Sequence, residues 1–110
     1  VERCEAAAAQ TGASCDIIDL RTLLPWDREA ALASVRRTHR CLIVHEDVIT
    51  AGFGAEIAAV VADAAFLDLD APVARLAMPD IPSPHHPDLM EWALPSVERI
   101  AAKVEELVSF

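Results

Sequence analysis

The residues best suited to chemistry are His45, Glu46 and Asp47, followed by Thr50 and by Gly52-Phe53-Gly54. Histidine changes charge near neutral pH, so His45 has the right ordinary pKa for an acid or base. The group falls where a buried strand ends and a helix begins. Open α/β sheets bind ligands at that edge, and a helix start offers free N–H groups to anions. The spacing nevertheless departs from known chemistry. Gly52-x-Gly54 lacks the third glycine of a dinucleotide fingerprint, and Asp68 and Asp70 follow too soon to serve as its ribose-binding acid. His45, Glu46, Thr50 and Phe53 are therefore read as interface or docking candidates. The other office open to His45 and Glu46 is to satisfy backbone groups at the strand end.

The remaining constellations say less. His85 and His86, with Asp80 and Asp88, suggest a metal site, but adjacent side chains of an extended chain point opposite ways. They read as a surface loop or interface. No Ser–His–Asp order with a nucleophile elbow is present. Asp68/Asp70 and Glu105/Glu106 read as solvated faces, and Trp26 and Trp92 as core or interface anchors. Cys4, Cys15 and Cys41 show no C-x-x-C spacing and read as buried free thiols in a reducing compartment. No catalytic, cofactor-binding or metal-ligating residue is assigned in residues 1–110.

The elements that must position these groups follow from patterning. Apolar residues make up 54% of the 110 and charged ones 25%, which implies a packed globule rather than a disordered tail. Alternating helix and strand signals imply an α/β layered domain. The Ala-rich start is helical to about Gln10 and stops at Gly12. Asp16 to Leu20 predicts a strand, and Asp27 caps a helix running to about Thr38, with Ala31, Leu32 and Val35 inward. Cys41-Leu42-Ile43-Val44, apolar at every position, predicts a parallel strand covered on both faces. Phe53, Ile57, Val60, Val61 and Ala64 recur at helical spacing. Val73 to Leu76 predicts another strand, and the prolines between Pro79 and Pro87 an irregular stretch. A last amphipathic helix starts near Pro95, with Val97, Ile100, Ala101, Val104, Leu107 and Val108 inward. Three strands make a thin platform for so many helices, and the first helix lacks a strand before it. At least one strand is therefore expected upstream of Val1, with the chain an excised or processed piece of something longer.

The net charge is −9, from 18 acidic and nine basic residues. Nucleic acid is a poor partner for such a chain, because phosphates need clustered cations. The one basic cluster, Arg36, Arg37, His39 and Arg40, reads as a solvated helix end. No apolar run approaches the ~20 residues that span a bilayer, so no membrane partner is expected. A basic protein surface is the better match.

The stretch Ser14–Asp27 resembles a segment shared by beta subunits of the pyruvate, acetoin and branched-chain 2-oxo acid dehydrogenases. The resemblance continues through Ser34–Asp47, Thr50–Ala58, Ala71–Arg75 and Ala93–Ile100. Pro25-Trp26-Asp27, and His45-Glu46 followed by Thr50-x-Gly52-Phe53, resemble the branched-chain (2-oxoisovalerate) type most. The pyruvate or acetoin type is the alternative, and a free-standing α/β interaction module the alternative of another class.

The resemblance implies a three-layer α/β/α domain of the transketolase C-terminal type over residues 1–110, with a mostly parallel sheet and early strands lying upstream of residue 1. It implies a parent enzyme that uses thiamine diphosphate and Mg, bound by a domain outside this chain. The parent would decarboxylate a 2-oxo acid and acylate the lipoyl group of an acyltransferase core. The implied partners are an alpha subunit, a second beta subunit and the acyltransferase's basic subunit-binding domain. The implied location is the bacterial cytoplasm or the mitochondrial matrix. For the docking role the sequence offers Glu105, Glu106 and a terminal Phe110.

Overall fold

The four-residue run Cys41–Val44 has no polar face, so it needs cover on both sides, and two pairs of helices provide it. The computed structural model describes residues 1–110 and orders them α1 (Glu2–Thr11), α2 (Arg28–Thr38), β1 (Leu42–Val48), α3 (Phe53–Ala64), a 3₁₀ turn (Phe66–Asp68), β2 (Ala74–Met78), α4 (Pro87–Ala93) and α5 (Val97–Val108). β1 and β2 pair in parallel, with Leu42 opposite Ala74, Ile43 opposite Arg75 and Val44 opposite Leu76.

Side chains alternate across these strands. Ile43 joins Leu32 and Val35 of α2 and Ile57 and Val61 of α3 in one buried cluster. On the opposite face Leu76, with Leu42 and Val44, packs against Ala7 of α1 and Ile100 and Ala101 of α5. The result is helix pair, sheet, helix pair: the expected three-layer α/β/α arrangement, built here on two strands.

Helix ends fall where local chemistry sets them. Gly12 takes a left-handed conformation (φ 69°) that returns its N–H to Ala8 and stops α1. Asp27 caps α2 by accepting from the Ala30 N–H. Ser96 does the same for α5 through Arg99.

Three expectations need correction. Asp16–Leu20 is not a strand. A strand needs a neighbour to pair with, and this segment pairs with neither β1 nor β2. Asp16 is tied to α2 instead, accepting from Ser34 at 2.8 Å and pairing with Arg37, which leaves Ile17 and Ile18 partly in solvent. Cys15, in the same unpaired stretch, is exposed rather than buried, while Cys4 and Cys41 are half-buried. Val108 is also exposed, on the outer side of a last turn whose neighbouring Leu107 is buried.

One element is additional: α4 emerges at the end of the proline-rich stretch. Pro87 occupies its first turn, where the missing N–H costs nothing, and His86 caps it by accepting from Asp88.

Candidate functional site

The two parallel strands end at one edge, where chain segments from both converge. Between Val44 and Val48 β1 advances four residues while β2 advances only two, from Leu76 to Met78. The bulged stretch holds His45, Glu46 and Asp47, and a bulge of this kind re-aims side chains.

His45 points toward α3. Its Nε2 is fully shielded and has no hydrogen-bond partner. The ring lies so close to the start of α3 that a Cβ on Gly54 would stand 2.2 Å from Nε2 and 2.5 Å from Cδ2. A Cβ on Gly52 would meet the Val48 carbonyl oxygen at 2.0 Å. The two glycines therefore exist for close approach, one to a ring and one to backbone. Neither His45 nor Glu46 bonds to strand-end backbone, so that expected office is not the one they fill. Burial pushes the imidazole below its ordinary pKa; Asp47 opposes the shift and Arg75 adds to it.

The loop after β1 is fastened from β2. The Ile49 N–H donates to the Met78 carbonyl at 2.9 Å, and Arg75 donates to the Ile49 carbonyl at 2.7 Å. Asp80 receives both the Thr50 N–H (3.0 Å) and the Thr50 hydroxyl (2.5 Å). These bonds, side chain first, hold the Asp80 carboxyl below the usual range, with burial opposing them. Ala51 then adopts φ 59°, a region that costs a residue with a Cβ, and the turn into Gly52 follows. Arg75 and Asp80 are the fasteners that sequence reading missed. Asp80 reads in the sequence only as a possible metal ligand and Arg75 only as part of the Ala71–Arg75 segment, and only the parallel register brings them to the loop.

Phe53 is half-buried against the α2–α3 cluster and meets Trp26 edge-to-face, with ring centroids 6.5 Å apart. Ile57, one turn on, is buried against the sheet as expected. Glu46 lies across the strand from His45. It borders a cleft of about 300 Å³ whose other walls include Arg3, Cys4, Val44, Pro95 and Ile100. Arg3 is engaged there by Glu91 (2.8 Å) and the Pro95 carbonyl (3.0 Å). Trp92, beside Glu91 on α4, is 67% exposed, so it anchors no core within this chain. His85 and His86 are both exposed.

The remaining candidates form a second surface. Arg40 lies just before β1, at the opposite end of the sheet. Its guanidinium donates to the Leu107 carbonyl (2.7 Å) and the Phe110 carbonyl (2.8 Å), closing the end of α5. The Phe110 ring is left in solvent. Glu106 pairs with Lys103 at 2.8 Å, while Glu105 stands exposed without an ion partner. The structure thus groups His45, Thr50 and Phe53 around one turn, with Glu46 on the far face of the strand. It separates all four from Glu105, Glu106 and Phe110.

The family profile described as the C-terminal domain of transketolase matches residues 1–100. The 2-oxoisovalerate dehydrogenase subunit beta of Pseudomonas aeruginosa is 43% identical over 105 residues, which is 94% of this chain and 29% of that protein. The mitochondrial 2-oxoisovalerate dehydrogenase subunit beta 2 of Arabidopsis thaliana is 53% identical over 77 residues, 70% of this chain and 22% of that protein. The pyruvate dehydrogenase E1 component subunit beta of Rickettsia conorii is 40% identical over 93 residues, 84% and 28%. The chain therefore spans less than a third of the length of each of these relatives.

Proposed function

This chain belongs to the transketolase C-terminal-domain family, and on that footing we propose that it serves in the beta subunit of a thiamine-diphosphate-dependent 2-oxo acid dehydrogenase, where its work is association rather than chemistry. The supporting observation is the similarity to a 2-oxoisovalerate dehydrogenase beta subunit along 94% of the chain. The 53% identity to one 2-oxoisovalerate dehydrogenase beta subunit favours a branched-chain 2-oxo acid as the substrate of the whole enzyme, with the pyruvate type, at 40% and 44%, as the second reading. Thiamine diphosphate and Mg would be held outside residues 1–110. The setting is a bacterial cytoplasm or a mitochondrial matrix.

The ionisable groups at the sheet edge fit an association role. Asp80 is engaged by Thr50, Arg75 by Ile49, Arg3 by Glu91 and Pro95, and the buried nitrogen of His45 faces glycine. Exposed at this edge are Glu46, Asp47 and Glu56, with the half-buried Phe53–Trp26 pair and, on α4, Trp92. Large aromatic rings suit a contact with the alpha subunit and a second beta subunit.

The opposite end carries the docking role for the acyltransferase's basic subunit-binding domain. There the Phe110 ring and the Glu105 carboxylate are both exposed, on a chain of net charge −9. Rim charges of this kind mostly raise the on-rate and its salt dependence.

The test uses the full-length protein purified with its natural partner. Decarboxylation is followed with an artificial electron acceptor, and capture by immobilised acyltransferase binding domain is measured at two salt concentrations. A Glu105→Gln, Glu106→Gln variant should decarboxylate 2-oxoisovalerate normally yet associate more slowly at low salt. Equal association of variant and wild type at both salts removes the acidic helix from docking. Absence of any 2-oxo acid decarboxylation removes the enzymatic parent.

A further inference from the structure

His45 Nε2 is the one buried side-chain nitrogen or oxygen in the fold without a hydrogen-bond partner. An unpaired buried polar group is costly, and a charged one far more so. As a neutral ring His45 can leave Nε2 without a proton, so that a bare lone pair faces Gly54. As a cation it must carry N–H on both nitrogens, and the one at Nε2 has nowhere to donate.

Asp47 and Arg75 are the charged groups that act on the ring, and Glu2, Arg3 and Glu46 line a cleft that His45 also borders. Asp47, two residues along β1, attracts an imidazolium; Arg75, on β2, repels one. Glu56 on the first turn of α3 is exposed to solvent, and Asp80 is already engaged by Thr50. The single attraction from Asp47 does not reach Nε2 as a hydrogen bond.

We propose that His45 is a proton-operated latch on the turn into α3, closed while the ring is neutral and released when it is protonated. Release requires only that the ring swing out of the hollow made by Gly52 and Gly54, which no Cβ obstructs. The first turn of α3 then loses the ring it rests on. Phe53 follows, because it belongs to that turn and meets Trp26 across it. Thr50–Asp80 and Arg75–Ile49 hold the other end of the loop. The motion is therefore confined to residues 51 to about 57. That acid would thereby weaken subunit association rests on the function proposed above; the latch itself does not.

The experiment is hydrogen–deuterium exchange on the full-length protein in its native assembly, between about pH 8 and about pH 5. This range brackets the ordinary histidine value of about 6.5. After correction for the chemical pH dependence of exchange, opening of the segment containing Phe53 to Ile57 should rise up to about tenfold per pH unit below that value. Residues of α5 should not change. A His45→Gln variant should show no such rise. Exchange at the C2 position of histidine, measured on the wild-type protein, reads the titration of His45 directly and needs no variant to fold. Titration at or above the ordinary value, or opening that is independent of pH, overturns the latch whether or not the chain associates as proposed.

Discussion

Replacing Gly54 with alanine tests the site's geometry by putting a methyl group in place of one hydrogen. The new Cβ would lie 2.2 Å from His45 Nε2 and 2.5 Å from Cδ2, so two ring atoms stand in the way rather than one flexible tip. Gly54 shows no left-handed backbone that alanine would strain. Overpacking costs about 1–3 kcal/mol, and displacing the whole ring puts this case near 3. Alanine returns up to about 1 kcal/mol in a helix relative to glycine. The net expectation is a loss of about 2 kcal/mol, felt in α3 and β1.

Native-state hydrogen exchange of α3 and β1 amides in the full-length protein measures it, because that method reads local opening free energy. A second background sharpens the test. With His45→Ala already present there is no ring to strike, so Gly54→Ala should stabilise by up to about 1 kcal/mol, reversing its sign. Destabilisation of equal size in both backgrounds would mean that His45 is not what Gly54 accommodates, and the reasoning would fail.

Other outcomes follow from the same structure. Gly52→Ala should cost more than Gly54→Ala, since its Cβ meets the Val48 carbonyl oxygen, which moves only with the strand; the same exchange experiment ranks them. Phe53→Ala should cost about 2 kcal/mol, below the 3–5 of a fully buried ring, because Phe53 is half-buried; a loss of 4 or more would show that a partner completes its burial. Burial pushes the Cys41 thiol up to about 11, so at mildly alkaline pH an alkylating reagent should modify exposed Cys15 well before Cys41, and mass spectrometry of digests shows the order. The Asp80 carboxyl is depressed by its bonds from Thr50. Its contribution is present above the ordinary value of 3.8 and is lost as pH falls through the lower folded value. Asp80→Asn should flatten that acid dependence in exchange at Thr50, and an unaltered profile would exclude the bond.

What could be read from the chain depended on how local the cause was. Asp27 and Gly12 act within one turn, and the helices begin or stop at them; the sequence places the start of α5 near Pro95, one residue before its Ser96 cap. Cys41–Val44 announced a two-faced strand because all four residues are apolar. Asp16–Leu20 carries the same β-branched composition, but pairing belongs to two strands and not to one. The segment pairs with neither strand and is tied through Asp16 to Ser34 and Arg37 of α2. α4 was hidden among prolines that usually mean loop, although Pro87 is acceptable at a helix start. The glycine pair did signal a tight turn. Which atoms it accommodates depended on the bulge that turns His45 toward α3, and no spacing rule encodes that. The Arg75 and Asp80 fasteners were invisible for the same reason: they reach Ile49 and Thr50 from 26 and 30 residues away.

The central claim is that these residues are the associating domain of a larger thiamine-dependent enzyme. It is tested most directly by native mass spectrometry of the particle recovered through a tag on the full-length polypeptide, expressed at its natural level. The account predicts a particle holding two copies of this polypeptide and two of a different subunit, with thiamine diphosphate retained. A particle made only of this polypeptide, carrying no cofactor and no second subunit, would contradict it.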